Sequence, residues 1–84
     1  MEALTGTVVR SMAGHDKGRF LVVISSDNEF VYLADGKERK LAHPKKKRIK
    51  HVSFTKTVID TDSLTDKKLR SVTGEFNKRI QNSN

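Results

Sequence analysis

The chain has 84 residues, of which 17 are Lys or Arg and 10 are Asp or Glu, so its formal net charge is +7. A chain of this size supports one small hydrophobic core, and the absence of cysteine excludes disulfides and thiolate metal sites in this sequence. No apolar run approaches the roughly 20 residues of a membrane-spanning helix and nothing near Met1 resembles a signal peptide, so we expect a cytoplasmic protein that does not bind a membrane.

The first two predicted strands flank a loop that contains two glycines. Residues 6–12 mix β-branched and polar side chains as strands do, and residues 19–25 form a second strand that is apolar on both faces. Between them, Gly14 and Gly18 permit positive φ, which predicts a tight, irregular turn. A strand that is apolar on both faces is expected at the centre of a small barrel.

Three further strands are predicted in the middle of the chain. A third strand covers residues 30–34, and residues 35–36 (Asp-Gly) predict a two-residue type I′ turn, which needs positive φ twice. A fourth strand follows over residues 37–41, and Pro44 interrupts its pairing. The fifth covers about residues 49–54, where the apolar positions do not keep one parity, which indicates a bulge or a different boundary.

This dense series of short strands predicts a mostly β fold, a small five-stranded barrel over residues 1–56. Residues 57–84 then form a linker and an amphipathic helix. Ser63 is its expected N-cap, and Gly74 is expected to weaken the helix or to split it. Its apolar stripe has helical spacing and consists of Leu69, Val72, Phe76 and Ile80. We expect this helix to pack on the barrel, with a partner-binding helix as the alternative.

The positive charge is concentrated between residues 37 and 50, where eight of fourteen residues are Lys or Arg and only Glu38 opposes them. Clustered cations repel one another unless a polyanion screens them, and they release counterions when they neutralise phosphates. Lysines outnumber arginines here, which favours contacts with the phosphate backbone over the reading of bases. Charge alone does not choose among RNA, DNA and an acidic membrane face.

Catalysis is not predicted. The histidines, His15, His43 and His51, lack the spacing of a metal site, and no catalytic motif is present. His15 beside Asp16 is read as a polar loop tip, because neighbours in a glycine-rich turn usually point apart. We therefore expect no enzyme activity, metal or cofactor.

The loop Gly14-His15-Asp16-Lys17-Gly18 and its flanking strands resemble the KOW motif, in which a glycine, a short polar spacer and Lys-Gly separate two hydrophobic strands. The run to about Phe54 is similar to short bacterial KOW-domain RNA-binding proteins related to archaeal and eukaryotic large-subunit ribosomal proteins. In these a second hairpin, here residues 32–36, leads into a basic Pro-Lys-Lys-Lys stretch, here residues 43–51. The resemblance implies an SH3-like barrel that binds RNA, commonly in ribosomes.

In such a protein the loop glycines would bring backbone N–H groups close to phosphates, while lysines supply point charges and arginines forked donors. The predicted RNA-binding residues are Arg10, Gly14, Lys17, Gly18, Arg19, Lys37, Arg39, Lys40, Lys45, Lys46, Lys47, Arg48 and Lys50. The phenylalanines expected in the core are Phe20, Phe30 and Phe54. Tyr32 is expected either in the core or as a stacking face for a base.

Ribosomal RNA, with ribosomal proteins as neighbours, is therefore the predicted partner, and three other hypotheses stay open. An SH3-like protein-interaction module of a transcription or translation complex would present an exposed aromatic groove. DNA shares the charge argument. Residues 44–48 also resemble a nuclear-import signal.

Overall fold

The protein is described here by a computed structural model of residues 4–82, which contains five strands and one long helix. These elements are β1 (Thr7–Ser11), β2 (Phe20–Ser26), β3 (Phe30–Ala34), β4 (Lys45–Arg48), β5 (Val52–Val58) and α1 (Asp66–Asn82). All paired strands are antiparallel, and their order in the sheet is β4-β3-β2-β1-β5. The predicted class, mostly β with a C-terminal helix, is confirmed.

The sheet is curled. Two strands separate β4 from β1, so in a flat sheet about 14 Å would lie between them, three spacings of about 4.8 Å. The Nζ atom of Lys47 in β4 nevertheless lies 2.6 Å from the Oγ atom of Ser11 in β1. Side chains of this length meet only if the sheet bends around its inner face. Pairing of β4 with β5, which would close a barrel, is not among the strand pairs of residues 4–82.

Strand β2 lies in the middle of the sheet and supplies both of its cores, as its two apolar faces predict. Leu21 and Val23 belong to the inner cluster, with Val9, Val31, Leu33 and Val52. On the outer face, Phe20 and Val22 pack with Val8, Ala34 and Leu69. This outer cluster contains a residue of α1, so the helix covers part of the outer face of the sheet.

Helix α1 begins later than predicted. Thr65, and not Ser63, caps it: its Oγ1 atom accepts a hydrogen bond from the backbone N–H of Lys68 at 3.1 Å. Leu69 is fully buried, and Val72 and Phe76 pack against the outer cluster. The predicted stripe therefore faces the sheet as far as Phe76, whereas the side chain of Ile80 lies outside the described residues. Gly74 does not split the helix.

The predicted fourth strand is wrong. Residues 37–41 lie in the loop between β3 and β4, and the fourth strand is the lysine run itself, paired with β3 in the register Leu33↔Lys45 to Phe30↔Arg48. The cause lies in Asp35, whose Oδ1 atom accepts the backbone N–H groups of Lys37 and Arg39, both at 2.9 Å. These bonds fold the chain into a longer side-chain-capped turn in place of the two-residue turn.

The fifth strand also differs from its predicted bounds, which explains its irregular parity. Ile49–His51 form one turn of 3-10 helix, and β5 starts only at Val52. Phe54 was predicted in the core, but β5 is an edge strand and the side chain is 40% exposed. The prediction for Phe20, which is 8% exposed, is confirmed.

Candidate nucleic-acid interface

The loop between β1 and β2, here the glycine loop (residues 12–19), has the tight form expected of it. Gly14 and Gly18 have φ values of 85° and 90°. The backbone N–H of Gly18 donates to the carbonyl of Ser11 at 2.8 Å, and that of Lys17 donates to the carbonyl of Gly14 at 3.2 Å. Because these two amides bond within the loop, neither is available to a phosphate, whereas the phosphate contact predicted at Gly14 stays a prediction.

Lys47 is the main correction to the predicted contact residues. Its neighbour across the sheet is Val31, a member of the inner cluster, so side-chain alternation turns Lys47 inward. The residue is 8% exposed. Its ammonium donates to Ser11 Oγ at 2.6 Å, to the carbonyl of Ala13 at 2.7 Å and to Asp16 Oδ1 at 2.5 Å. Three donors with three acceptors leave none for RNA.

The carboxylate of Asp16 holds the glycine loop against this lysine. Burial is the largest single influence on its pKa and acts to raise it. Hydrogen bonds from Lys47 and Ser11, with the positive charges of Lys47 and Lys45, outweigh burial and hold the pKa below the ordinary value of 3.8. Asp16 Oδ2 is buried without a hydrogen-bond partner among the described residues, but it lies 3.7 Å from the Nζ atom of Lys45. Asp16 is therefore ionised and structural.

Between the glycine loop and the β3–β4 loop lies a cleft of about 270 Å³, here the loop cleft. Its cations are Arg19, Arg39 and Lys45. Arg19 pairs with Glu38 at 2.8 Å, and both side chains remain about half exposed. The structure thus brings the glycine loop and the basic segment together at one place, which their separation in sequence did not guarantee.

A second cleft, of about 540 Å³, adjoins the first and is here called the helix cleft. It shares Arg19 and Asp35 with the loop cleft and adds Lys37 from the β3–β4 loop and Arg70 from α1. Arg70 donates through its NH1 group to the carbonyl of Gly36 at 2.9 Å. The two clefts share two lining residues and are together called the groove, and Lys and Arg side chains border both of them.

The remaining part of the basic run faces another way. Lys46 and Arg48 point to the outer face of the sheet, where the Lys46 ammonium lies 4.2 Å and the Arg48 guanidinium 5.0 Å from the centre of the Phe30 ring. Arg48 also pairs with Glu29 at 3.6 Å. Tyr32 is half-buried on this face, and its hydroxyl lies 3.3 Å from Asp27 Oδ2. Phe30 is therefore a support for two cations and not a core residue.

The predicted contact residues divide by exposure. Arg10 is half-buried: its Nε donates to the carbonyl of Gly18 at 3.4 Å, and its guanidinium lies 5.8 Å from the centre of the Phe20 ring. Lys45 is half-buried beside Asp16, and Lys47 is buried. The exposed cations of the set are Lys17, Arg19, Lys37, Arg39, Lys40, Lys46, Arg48 and Lys50.

Sequence reasoning missed the helix as a contributor to this surface. Arg70 follows the buried Leu69 and is exposed, so its place on the polar side of α1 follows from the helical period. Its position beside Lys37 depends on how the helix docks on the sheet, for which the sequence carries no local signal.

Two further findings concern the described residues 4–82. They contain no group of three His, Asp or Glu side chains placed to hold a metal ion. None of their helices combines the length and apolar character that crossing a bilayer requires.

Comparison with known proteins does not assign the chain to a family. No protein-family model matches the chain, and no curated protein matches it. The KOW resemblance therefore remains a prediction from the sequence.

Proposed function

We propose that this protein binds RNA by contacting its phosphates, and that its partner is ribosomal RNA in the cytoplasm. One observation carries the proposal: Lys and Arg side chains from four separate segments border the loop cleft and the helix cleft. Arg19 comes from the end of the glycine loop, Lys37 and Arg39 come from the β3–β4 loop, Lys45 comes from β4, and Arg70 comes from α1. A strand of phosphodiesters is the partner whose repeating charge suits such a groove.

The carboxylates beside the groove already have partners, and they offset part of its positive charge. Glu38 pairs with Arg19, and Asp16 accepts from Lys47. Asp35 accepts two backbone N–H groups of its own loop. The side chains of Lys37 and Arg39, in contrast, form no ion pair or hydrogen bond with residues 4–79. Their charges are available to a ligand.

The resemblance of the glycine loop and its strands to the KOW motif supports RNA over other polyanions. It also supports the ribosome as the location. Sedimentation of cell extract with and without ribonuclease tests the location, since a ribosomal protein travels with the subunits only while the RNA is intact. If about six phosphates are neutralised, the logarithm of the binding constant should fall against log salt with a slope of roughly −4 to −5.

A matched pair of variants tests the site. Lys37→Gln/Arg39→Gln removes two charges from the groove, and Lys56→Gln/Lys68→Gln removes two exposed charges that line neither cleft. Both carry the same net charge. We expect only the first to weaken binding to a fluorescein-labelled ribosomal RNA fragment and to reduce the salt slope by about 1.4–1.8. Equal effects from the two variants would show that bulk charge, and not this groove, attracts the RNA.

Competition separates RNA from DNA. Unlabelled structured RNA should displace the labelled fragment at a lower concentration than duplex DNA of the same length. The reverse order would make DNA the partner.

A protein partner is the second candidate, because the edge strand β5 exposes Phe54 by 40% and Val58 by 64%. Exposed apolar side chains on an edge strand suit pairing with another chain. This candidate predicts a partner that stays bound after ribonuclease treatment in high salt and is lost on Phe54→Ser.

A further inference from the structure

Gly74 stands in the middle of α1, although no contact among the described residues requires a glycine there. Glycine weakens a helix interior more than any residue except proline. A Cβ atom at this position would meet nothing within 4 Å, and its φ is not positive, unlike that of Gly36. Neither close packing nor backbone conformation among the described residues explains the choice.

The place of Gly74 in the fold gives an explanation. Its backbone forms part of the wall of the helix cleft, together with Arg19, Lys37 and Arg70. Asn77, one turn further along α1, lines the same cleft and is half-buried, and its amide forms no hydrogen bond with residues 4–79. A polymer that enters this cleft meets three cations, an open amide and a helix surface with no side chain in its way.

Hydrogen bonds join α1 to the β3–β4 loop, and both elements line the cleft. Thr73 Oγ1 lies 3.3 Å from the carbonyl oxygen of Asp35, and Arg70 donates to the carbonyl of Gly36. A Cβ atom on Gly36 would overlap the carbonyl oxygen of Asp66. Loop and helix are thus in direct backbone contact at Gly36, between the cleft residues Asp35 and Lys37.

We propose that the RNA backbone runs through the helix cleft and lies against α1 at Gly74. Lys37 and Arg70 contact successive phosphates, and the Asn77 amide bonds a ribose 2′-hydroxyl, which both donates and accepts. This inference rests on the proposed function and deepens it. It makes the C-terminal helix one wall of the RNA site as well as a cover for the sheet.

The position of the two clefts side by side favours a strand over a single nucleotide. The helix cleft and the loop cleft share Arg19 and Asp35, so a polymer occupies both clefts while a mononucleotide fills one. Cations line both clefts, as binding of a repeating anion requires.

The test substitutes Gly74 in two ways, one expected to raise stability and the other expected to weaken RNA binding. Gly74→Ala should raise the melting temperature by about 4–8 °C, since alanine is the better helix former. Gly74→Gln places a large side chain in the cleft and should weaken binding to a fluorescein-labelled RNA stem-loop with a single-stranded extension by about tenfold. Ser71→Ala and Ser71→Gln are the matched controls, because Ser71 is exposed on the same helix and does not line the cleft. They should leave RNA affinity unchanged.

The outcomes separate this inference from the proposed function. If Gly74→Gln binds the RNA as tightly as the unchanged protein while Lys37→Gln/Arg39→Gln binds more weakly, the path along α1 is wrong and RNA binding stands. If the unchanged protein does not bind the RNA, both proposals fail. Displacement of the RNA by low concentrations of adenosine monophosphate would show that the cleft is a pocket for a single nucleotide. It would contradict the proposal that the cleft binds an RNA strand.

Discussion

The ammonium of Lys47 lies 2.5 Å from Asp16 Oδ1, which ties the centre of strand β4 to the tip of the glycine loop. The two residues are 31 positions apart in sequence. They belong to the two segments predicted to bind RNA, one from the charge pattern and the other from the KOW resemblance. Their contact means that one of the lysines builds the surface that the others present. The loop keeps its form because a cation lies beneath it.

Lys47→Met is expected to destabilise the fold by about 3 kcal/mol, because it leaves the Asp16 carboxylate and the Ser11 hydroxyl without their buried donor. Urea unfolding followed by circular dichroism measures the loss. The matched control is Lys46→Met, one residue earlier and exposed, which gives up the contact with the Phe30 ring and the attraction to Asp27 and should cost less than about 1 kcal/mol. Equal losses from the two substitutions would contradict a structural role for Lys47.

The free energy of unfolding should depend on pH through the ionisation of Asp16. Its folded-state pKa lies below the ordinary 3.8, so its contribution is complete well above that pH and is lost as the pH falls through the folded-state pKa. Asp16→Asn should therefore be less stable than the unchanged protein at neutral pH, and the difference should narrow as the pH falls below about 3.8. Thermal unfolding between pH 7 and pH 2.5 measures both curves.

Asp62→Asn provides the control for this comparison. Asp62 is exposed and lies outside the network, yet its substitution makes the same change in charge. The melting temperature of Asp62→Asn should change with pH in the same way as that of the unchanged protein. A difference between Asp16→Asn and the unchanged protein that stays constant across the whole range would mean that the carboxylate is not the group responsible.

Gly36→Ala is expected to cost at least about 3 kcal/mol of stability. Its φ of 78° is unfavourable for alanine, and the added methyl group would overlap the carbonyl oxygen of Asp66. Gly18→Ala is the comparison, since its φ of 90° is similar but the nearest atom to a new Cβ is a guanidinium nitrogen of Arg10 at 3.8 Å. It should cost only about 1–2 kcal/mol. Similar losses would show that the helix moves away from the loop freely.

Much of the fold follows from local sequence pattern. The apolar run of β2 fixes its central place because both of its faces must be buried, and the spacing of Leu69, Val72 and Phe76 fixes the face that α1 turns to the sheet. The boundaries of β4 and β5 did not follow. Asp35 captures two amides after β3, and that side-chain bond outweighs the strand preference of residues 37–41.

The site was predictable in composition but not in arrangement. The segments that contain Arg19, Lys37 and Arg39 were identified from charge and from the glycine pattern. Lys47 points inward because of the register of β4 with β3. The fourth strand predicted from the sequence covered residues 37–41 and did not include Lys47, so it gave no direction for this side chain. Arg70 and Gly74 line the helix cleft because of the way α1 docks on the sheet. This docking depends on contacts between distant segments, so no local sequence pattern predicts it.

The alternation of β4 has a practical consequence for mutagenesis. Replacing residues 45–48 together by neutral residues would remove two cations from the outer face and the ion-pair partner of Asp16 Oδ2. The same variant would also lose the Lys47 ammonium, which lies beneath the glycine loop. Any drop in affinity would then mix unfolding with lost contacts. Residues 37 and 39, which border the groove without supporting it, give an answer that concerns binding alone.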